Sequence, residues 1–162
     1  MGGFLNANDF NCYEILISKN MTFFSRKLRL PFDEVVRRVT ANLQEQGFGV
    51  ITTIDMQDTF KQKLNVGFRN YKILGACNPN LAYKAIALES QIGILLPCNI
   101  VIQEHENGEV EVSALNPLEN IARVFTSSQL KELANDAGNR LREAIDNLHR
   151  DVYEKHNEAL PT

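Results

Sequence analysis

The sequence has no excess of positive charge. Its 162 residues carry a formal net charge of -3, and basic residues alternate with acidic ones, as in Arg140, Arg142, Glu143 and Asp146. Because binding to nucleic acid depends on clustered lysine and arginine, the composition predicts no nucleic-acid partner. The length suits a single domain, which can bury a core without disulfides or a metal ion.

The sequence also lacks a long hydrophobic run. The best apolar run, residues 92–102, is interrupted by Gly93, Pro97 and Asn99, whereas a membrane-spanning helix needs about 18 apolar residues or more. The amino terminus shows no basic stretch followed by an apolar one, which is the pattern of a secretory signal. We therefore expect a cytoplasmic protein with no membrane contact.

Cysteine is scarce, and no Cys-x-x-Cys pattern occurs. The three cysteines are Cys12, Cys77 and Cys98, an odd number that favours free thiols in a reducing compartment. A zinc site needs three or four suitable ligands. Cys77 and Cys98 lie 21 residues apart, and strand alternation sets His105 on the opposite face from Cys98. The sequence therefore predicts no metal site.

No catalytic motif is present. The chain contains neither the Gly-x-Ser-x-Gly motif of hydrolases nor a glycine-rich phosphate loop. His149 and His156 lie on or after the last predicted helix, where a solvated histidine is expected, and no two carboxylates form a recognisable pair. The sequence thus leaves open whether the protein is an enzyme, and it identifies no cofactor.

The periodicity divides the chain into an N-terminal extension (residues 1–21), one domain (residues 22–152) and a polar tail (residues 153–162). The extension begins with a stretch rich in glycine and asparagine that has no period. Two interpretations of it stay open: either Met21 is the natural start, or the apolar residues 13–17 add an N-terminal strand.

Within the domain, hydrophobic periodicity predicts an alternation of strands and helices. Two-residue alternation indicates strands over residues 22–30, 48–54, 69–77, 92–105 and 109–115. Helical spacing indicates helices over residues 32–46, 78–89 and from a capping box at Thr126 to about 152, with short helices after Asp55 and Asn116. Asn107-Gly108 is typical of a tight hairpin turn. This order favours an α+β fold, an antiparallel or mixed sheet with helices packed on one face.

The last helix carries a continuous apolar stripe. Its members alternate at spacings of four and three residues, which places them on one side of a helix. We expect this long C-terminal helix to lie across the sheet. The stripe consists of Leu130, Ala134, Ala137, Leu141, Ile145, Leu148 and Val152.

The first candidate site is the stretch Gly75-Ala-Cys-Asn-Pro79. Asn78 fits an N-cap and Pro79 the first helical position, so Cys77 precedes a helix N-terminus, where unpaired N–H groups favour a thiolate. The alternative is a core cysteine that shares a face with its strand neighbours. Lys84 lies one turn into this helix, near enough to face an anion at its start, although a solvated lysine is the simpler interpretation.

The second candidate site is the stretch Leu95-Leu-Pro-Cys-Asn99. Cys98 alternates in phase with Ile94 and Ile100, which predicts that it faces the core, whereas Asn99 falls on the more polar face. If this strand pairs with residues 69–77, the two cysteines come near each other on one face. A disulfide, a shared metal and a small packed cluster all stay open, because spacing alone does not give the distance.

These two stretches carry a resemblance to a known family. Residues 71–79, Ala82-Tyr83 and residues 92–99 resemble the signature of domain of unknown function 302, and Gly47-Phe48 and Asn116-Pro117 match its layout. The resemblance spans about residues 22–150. It implies a fold similar to the TATA-binding-protein class, with a curved sheet and a homodimeric assembly. The matching signature positions are Cys77, Asn78, Pro79, Pro97, Cys98 and Asn99.

The sequence therefore supports three hypotheses about function. The first is a small-molecule or anion-binding module with its site near Cys77, Asn78 and Cys98. The second is a thiol-dependent redox protein that uses Cys77, with Cys98 as resolving partner. The third is a homodimeric interaction domain without catalysis. The family resemblance carries no activity that decides among them.

Overall fold

The computed structural model describes residues 22–149 and contains five strands and five α-helices in that range. The strands are β1 (Phe23–Leu28), β2 (Gly49–Asp55), β3 (Tyr71–Cys77), β4 (Cys98–Glu104) and β5 (Val110–Leu115). The helices are α1 (Phe32–Glu45), α2 (Met56–Leu64), α3 (Pro79–Leu88), α4 (Pro117–Val124) and α5 (Ser128–Asp146), with 3-10 helices at Ser90–Leu95 and Asn147–His149.

The five strands form one antiparallel sheet in the order β1-β5-β4-β3-β2. Strands β4 and β5 are the predicted hairpin, in which His105 N–H donates to the Glu109 carbonyl at 2.8 Å and Gly108 has a φ of +79°. That positive φ is the reason for the Asn-Gly turn, because glycine adopts it without a Cβ clash. The α+β prediction is confirmed, and its open choice resolves to an antiparallel sheet.

One face of the sheet packs on α1 and α5, and the side chains between them form the main hydrophobic core, here called the sheet core. Leu141, Ile100 and Val112 within it are each 0% exposed. Burying a side chain of this size stabilises the fold by about 1.5–3 kcal/mol. The buried members of the sheet core are Phe24, Leu28, Phe32, Val35, Val39, Leu43, Phe48, Leu74, Ala76, Ile100, Ile102, Val110, Val112, Ala114, Ala137, Leu141, Ala144, Ile145 and Leu148.

A second, smaller group of buried residues lies where α3, α4 and the 3-10 helix Ser90–Leu95 approach the first half of α5. We call it the cavity cluster. It contains Ala85, Ile92, Ile121, Leu130 and Ala134. The predicted stripe on α5 therefore serves both groups, its first half the cavity cluster and its second half the sheet core.

Local sequence signals fix most helix boundaries. The Asp55 and Asn78 side chains cap α2 and α3, as predicted, by accepting hydrogen bonds from the backbone N–H of Asp58 and Leu81. The prediction of Thr126 as the cap of α5 is wrong by one residue. The Ser127 hydroxyl accepts from Leu130 N–H instead, because either hydroxyl in the Thr-Ser-Ser run satisfies the capping pattern.

The prediction of one long strand over residues 92–105 is wrong for its first six residues, 92–97. Residues Ser90–Leu95 form a 3-10 helix, and β4 begins only at Cys98, after a cis Leu96–Pro97 bond. Ile94 was expected to face the core with Cys98 but is 76% exposed, whereas Ile92 is 0% exposed. A short apolar run has no period that separates a strand from a buried helical turn.

Three predictions fall on residues outside 22–149. They are the N-terminal extension, the polar tail and the end of the last helix at Val152. Within the described residues α5 ends at Asp146 and is followed by the 3-10 helix Asn147–His149.

Candidate functional site

A cavity lies between the helix layer and one end of the sheet. Its cavity volume is about 60 Å³, and the wider concave region around it, open solvent included, has about 690 Å³ of empty space. Its walls come from α3, the 3-10 helix, α4, α5 and the ends of β3, β4 and β5, and they are almost entirely apolar. Ligand sites in proteins typically have this concave and apolar character.

Small side chains explain why this region is hollow. Ala82 and Ala85 on α3 and Ala134 and Ala137 on α5 all line the cavity. Helices pack at distances set by the side chains between them, and alanine fills little of the intervening space. The sheet core, by contrast, is filled by leucine, isoleucine and valine from α1, α5 and the strands.

Asn78 is the N-cap residue of α3. It lines the cavity, and only 8% of its surface is exposed. Its Oδ1 accepts a hydrogen bond from Leu81 N–H at 3.2 Å. Gly47 allows this side chain to fit, because a Cβ there would lie 3.0 Å from Asn78 Nδ2, and its φ of +80° also favours glycine. The Asn-Pro pair and the Gly47 turn are thus one local unit.

The two cysteines are free thiols at the edge of the cavity, which both of them line. Strands β3 and β4 pair as expected, but the register sets Ala76 opposite Cys98. By alternation Cys77 therefore belongs to the other face, and the expectation of one shared face is not met. Burial raises the pKa of the Cys98 thiol to about 11, with a further contribution from neighbouring Cys77. Cys98 is thus a protonated thiol at neutral pH.

Four of the predicted site residues lie away from the cavity wall, namely Pro79, Lys84, Pro97 and Asn99. Pro79, Lys84 and Asn99 are exposed. Pro79 has no N–H, and the Asn78 side chain already occupies the N–H of Leu81, which leaves the start of α3 few donors for an anion. The anion version of the first hypothesis therefore loses its main physical support.

Pro97 has a packing role. A Cβ on Gly75 would lie 2.8 Å from Pro97 Cγ and 3.2 Å from the Thr52 side chain. The absence of a Cβ at Gly75 is therefore what lets the Leu96–Pro97 bend close over β3 and bring Cys98 beside Ala76. Gly75 and Pro97 shape the sheet end of the cavity without lining it themselves.

Sequence reasoning did not identify Asn120 or the alanines of the cavity. Asn120 lies on α4, one turn after the Asn116 cap, and lines the cavity together with Ile121. The short helix after Asn116 was predicted, but its side chains gave no chemical signal. The role of a polar residue on a short amphipathic helix can be assigned only when the residues around it in the folded protein are known.

A separate polar network lies on the opposite face of the sheet. Ser25 Oγ donates to Glu111 Oε1 at 2.7 Å, and His105 Nε2 lies 2.8 Å from Glu111 Oε2. Desolvation opposes ionisation of Glu111, but the hydrogen bonds from Ser25 and His105 outweigh it and lower the pKa of this carboxyl group. The network joins β1, β5 and the hairpin turn, and it supports the sheet at a distance from the cavity.

Between residues 22 and 149, no three His, Cys, Asp or Glu side chains form a group that could hold a metal ion. In the same range, no helix has the length and apolar character needed to cross a membrane.

The fold and the cavity define a single α+β domain that holds an apolar pocket between its helices and an antiparallel sheet. Comparison with known families then places it further. Residues 24–148 match the family described as domain of unknown function DUF302. The chain belongs to this family, and the resemblance seen in its Cys-Asn segments is confirmed.

Two relatives illustrate the membership. An uncharacterized protein of Aquifex aeolicus (strain VF5) is 25% identical over 134 residues, which cover 81% of this chain and 86% of that protein. The crystal structure of an uncharacterized conserved DUF302 protein from Bacillus stearothermophilus superimposes with a TM-score of 0.71 at 26% identity. That match covers 78% of this chain and 98% of the other. Neither description names a ligand or an activity.

Proposed function

We propose that this protein is a small-molecule-binding module whose ligand occupies the apolar cavity beside Cys77, Asn78 and Cys98. The observation that carries the proposal is the cavity itself, an apolar hollow of about 60 Å³ in a domain whose sheet core is closed. Hollow regions of this size forgo the contacts that would stabilise the fold. A ligand restores those contacts on binding.

Apolar burial supplies the driving force for such binding. Each square ångström of apolar surface removed from water contributes about 25 cal/mol. The wall offers this surface from four helical segments and the sheet end, and the partial opening gives a route of entry. Ligand binding therefore requires no large rearrangement of the sheet core.

The test uses ethylbenzene, an uncharged probe without polar groups, titrated into the ¹⁵N-labelled protein and followed by amide chemical shifts. We expect saturable shifts at residues that line the cavity. Ala85→Leu adds three carbon atoms inside the cavity and should weaken binding about tenfold or more. Ala87→Leu is the matched control, because Ala87 is exposed on the same helix and does not line the cavity.

Either of two results would overturn the proposal. The first is the absence of saturable shifts in the wild-type protein. The second is equal affinity of Ala85→Leu and the wild type, because the probe would then bind elsewhere on the surface.

The alternative function is thiol-dependent redox chemistry with Cys77 and Cys98. It draws support from the electrostatic influence of Cys77 on Cys98, which requires the two thiols to be neighbours. The raised pKa of Cys98 argues against it, because a protonated thiol is a poor nucleophile. Brief treatment with iodoacetamide at pH 7, read by peptide mass spectrometry, distinguishes the two. Rapid and selective alkylation of Cys77 would favour the redox alternative.

The homodimer and the cytoplasmic location stay predictions. Light scattering at micromolar concentration tests the assembly. The single chain has a mass of 18.3 kDa, and a homodimer would show twice that mass. A monomer at that concentration would remove the third hypothesis, which requires a partner surface between two copies.

A further inference from the structure

The proposed function leaves the chemical class of the ligand open, and the polar atoms on the cavity wall narrow it. Asn78 is the more buried of the two carboxamides there, with 8% of its surface exposed. Its Oδ1 is committed to the N-cap of α3. Its Nδ2 donates no hydrogen bond to any residue between 22 and 149. An uncommitted donor at a cavity wall marks a place for a ligand acceptor, because covering that donor with a ligand that offers no partner would cost free energy.

A second carboxamide also lines the cavity. Asn120 of α4 lines the cavity and is partly buried. Its side chain makes no hydrogen bond to the part of the chain that the structure describes. A cavity that is apolar except for a few convergent polar groups is the usual design of a site that orients a small molecule.

The cavity wall contains no charged side chain. None of the residues that line it is a lysine, arginine, histidine, aspartate or glutamate. A carboxylate or ammonium group bound there would lose its hydration without gaining a counter-charge, which strongly disfavours binding. Uncharged ligands avoid this penalty, and amide N–H groups suffice to bind a carbonyl oxygen.

We infer that the cavity binds a neutral, mainly apolar molecule that carries a carbonyl-type hydrogen-bond acceptor, with the Asn78 amide as its donor. Ketones, esters and amides with an apolar body belong to this class. The inference rests on the proposed function and specifies the ligand of that same site. It also replaces the anion of the sequence-based hypothesis with an uncharged group.

The test compares three probes of similar size, namely ethylbenzene, acetophenone and benzoate, at pH 8. They differ in whether they carry no acceptor, a neutral acceptor or an anionic one. We expect wild-type protein to bind acetophenone at least tenfold more tightly than benzoate. In the wild type, the Asn78 side-chain amide proton should shift downfield with acetophenone and stay in place with ethylbenzene, a readout that needs no variant.

The decisive variant is Asn78→Asp, because aspartate keeps the N-cap of α3 and replaces the NH₂ donor by an oxygen. We expect it to weaken acetophenone binding about tenfold, the usual effect of losing one buried hydrogen bond, and to weaken ethylbenzene binding by a smaller factor. The matched control is Asn80→Asp, which adds the same charge at an exposed position on the same helix. It should change neither affinity.

The outcomes separate the inference from the proposed function. If ethylbenzene does not bind the wild-type protein, the proposed function itself fails. If ethylbenzene binds but Asn78→Asp leaves acetophenone affinity unchanged, the donor role of Asn78 is overturned while the cavity remains a binding site. Tighter binding of benzoate than of acetophenone would overturn the neutral class.

Discussion

The two halves of α5 pack in different ways although one apolar stripe runs through both. In the second half, Leu141 and Ile145 lie in the sheet core and are 0% and 2% exposed. In the first half, Leu133 and Ala134 border the cavity. The difference comes from the partners: α1 and the strands present large side chains to the second half, whereas α3 presents alanines to the first.

The filled core and the hollow cavity therefore lie along separate parts of the same helix. Protein interiors are packed as densely as organic crystals, so an empty region is a departure that needs a cause. Here the cause is a set of small residues on two facing helices. Substitutions at matched positions in the filled and the hollow regions test this difference.

The largest effect is expected from leucine truncation at matched positions on α5. Leu141→Ala should lower the free energy of unfolding by about 3 kcal/mol, because it leaves a new void in a filled core. Leu133→Ala should lower it by only about 1 kcal/mol, because this partly buried side chain already borders empty space. Urea denaturation measures both values. Equal losses would mean that the two halves are packed alike.

The second effect concerns pH and Cys98, which lies between the two regions. Its pKa is raised by burial and by Cys77 to about 11 from a model-peptide value of 9.0. The folded state thus retains a proton that the unfolded chain loses, so stability is intact below pH 9 and falls as pH rises towards 11. The expected loss at pH 11 is about 2 kcal/mol.

Cys98→Ala separates this contribution from the other groups that titrate in alkali. The difference in unfolding free energy between wild type and variant should shrink or reverse between pH 8 and pH 11. A constant difference over that range would show that the cavity edge is well hydrated and that Cys98 is not desolvated.

The smallest effect is expected from filling space at two alanines of α5. Ala144 and Ala134 are both 2% exposed, but only Ala134 lines the cavity. Ala144→Leu should destabilise the fold by about 1–2 kcal/mol through overpacking. Ala134→Leu should leave stability unchanged or raise it, and it should weaken ethylbenzene binding. Thermal unfolding and the same titration measure the two quantities, and destabilisation by both variants would contradict a cavity at this place.

Much of the fold was predictable from local pattern. The hairpin at Asn107-Gly108, the caps at Asp55 and Asn78 and the alternation of strands with helices all follow from short-range chemistry. The start of β4 at Cys98 was not predictable in this way. The run from Ile92 to Cys98 is mostly apolar, which is compatible with a strand and with a buried helical turn. The 3-10 helix Ser90–Leu95 buries Ile92 in the cavity cluster. Most residues of that cluster are far from Ile92 in the sequence, so no local pattern reveals this packing.

The candidate site was predictable in part. The importance of the Cys-Asn-Pro segment followed from the cap at Asn78, and the cavity lies beside it. Lys84 and Asn99 were included because of their positions in the chain, yet they are exposed and lie off the wall. Sequence spacing gives distance along one helix or strand, whereas a cavity wall is assembled from several elements.

The sequence by itself determined the type and order of the elements, the α+β class, the family and the cap at Asn78. These depend on backbone preferences and on periodicity, which are properties of neighbouring residues. Tertiary packing alone sets which part of the α5 stripe is filled and which is hollow, and it makes Asn78 and Asn120 line the same cavity. The physical reason is that packing density depends on the volume of side chains that face each other across elements, and no local pattern encodes that pairing.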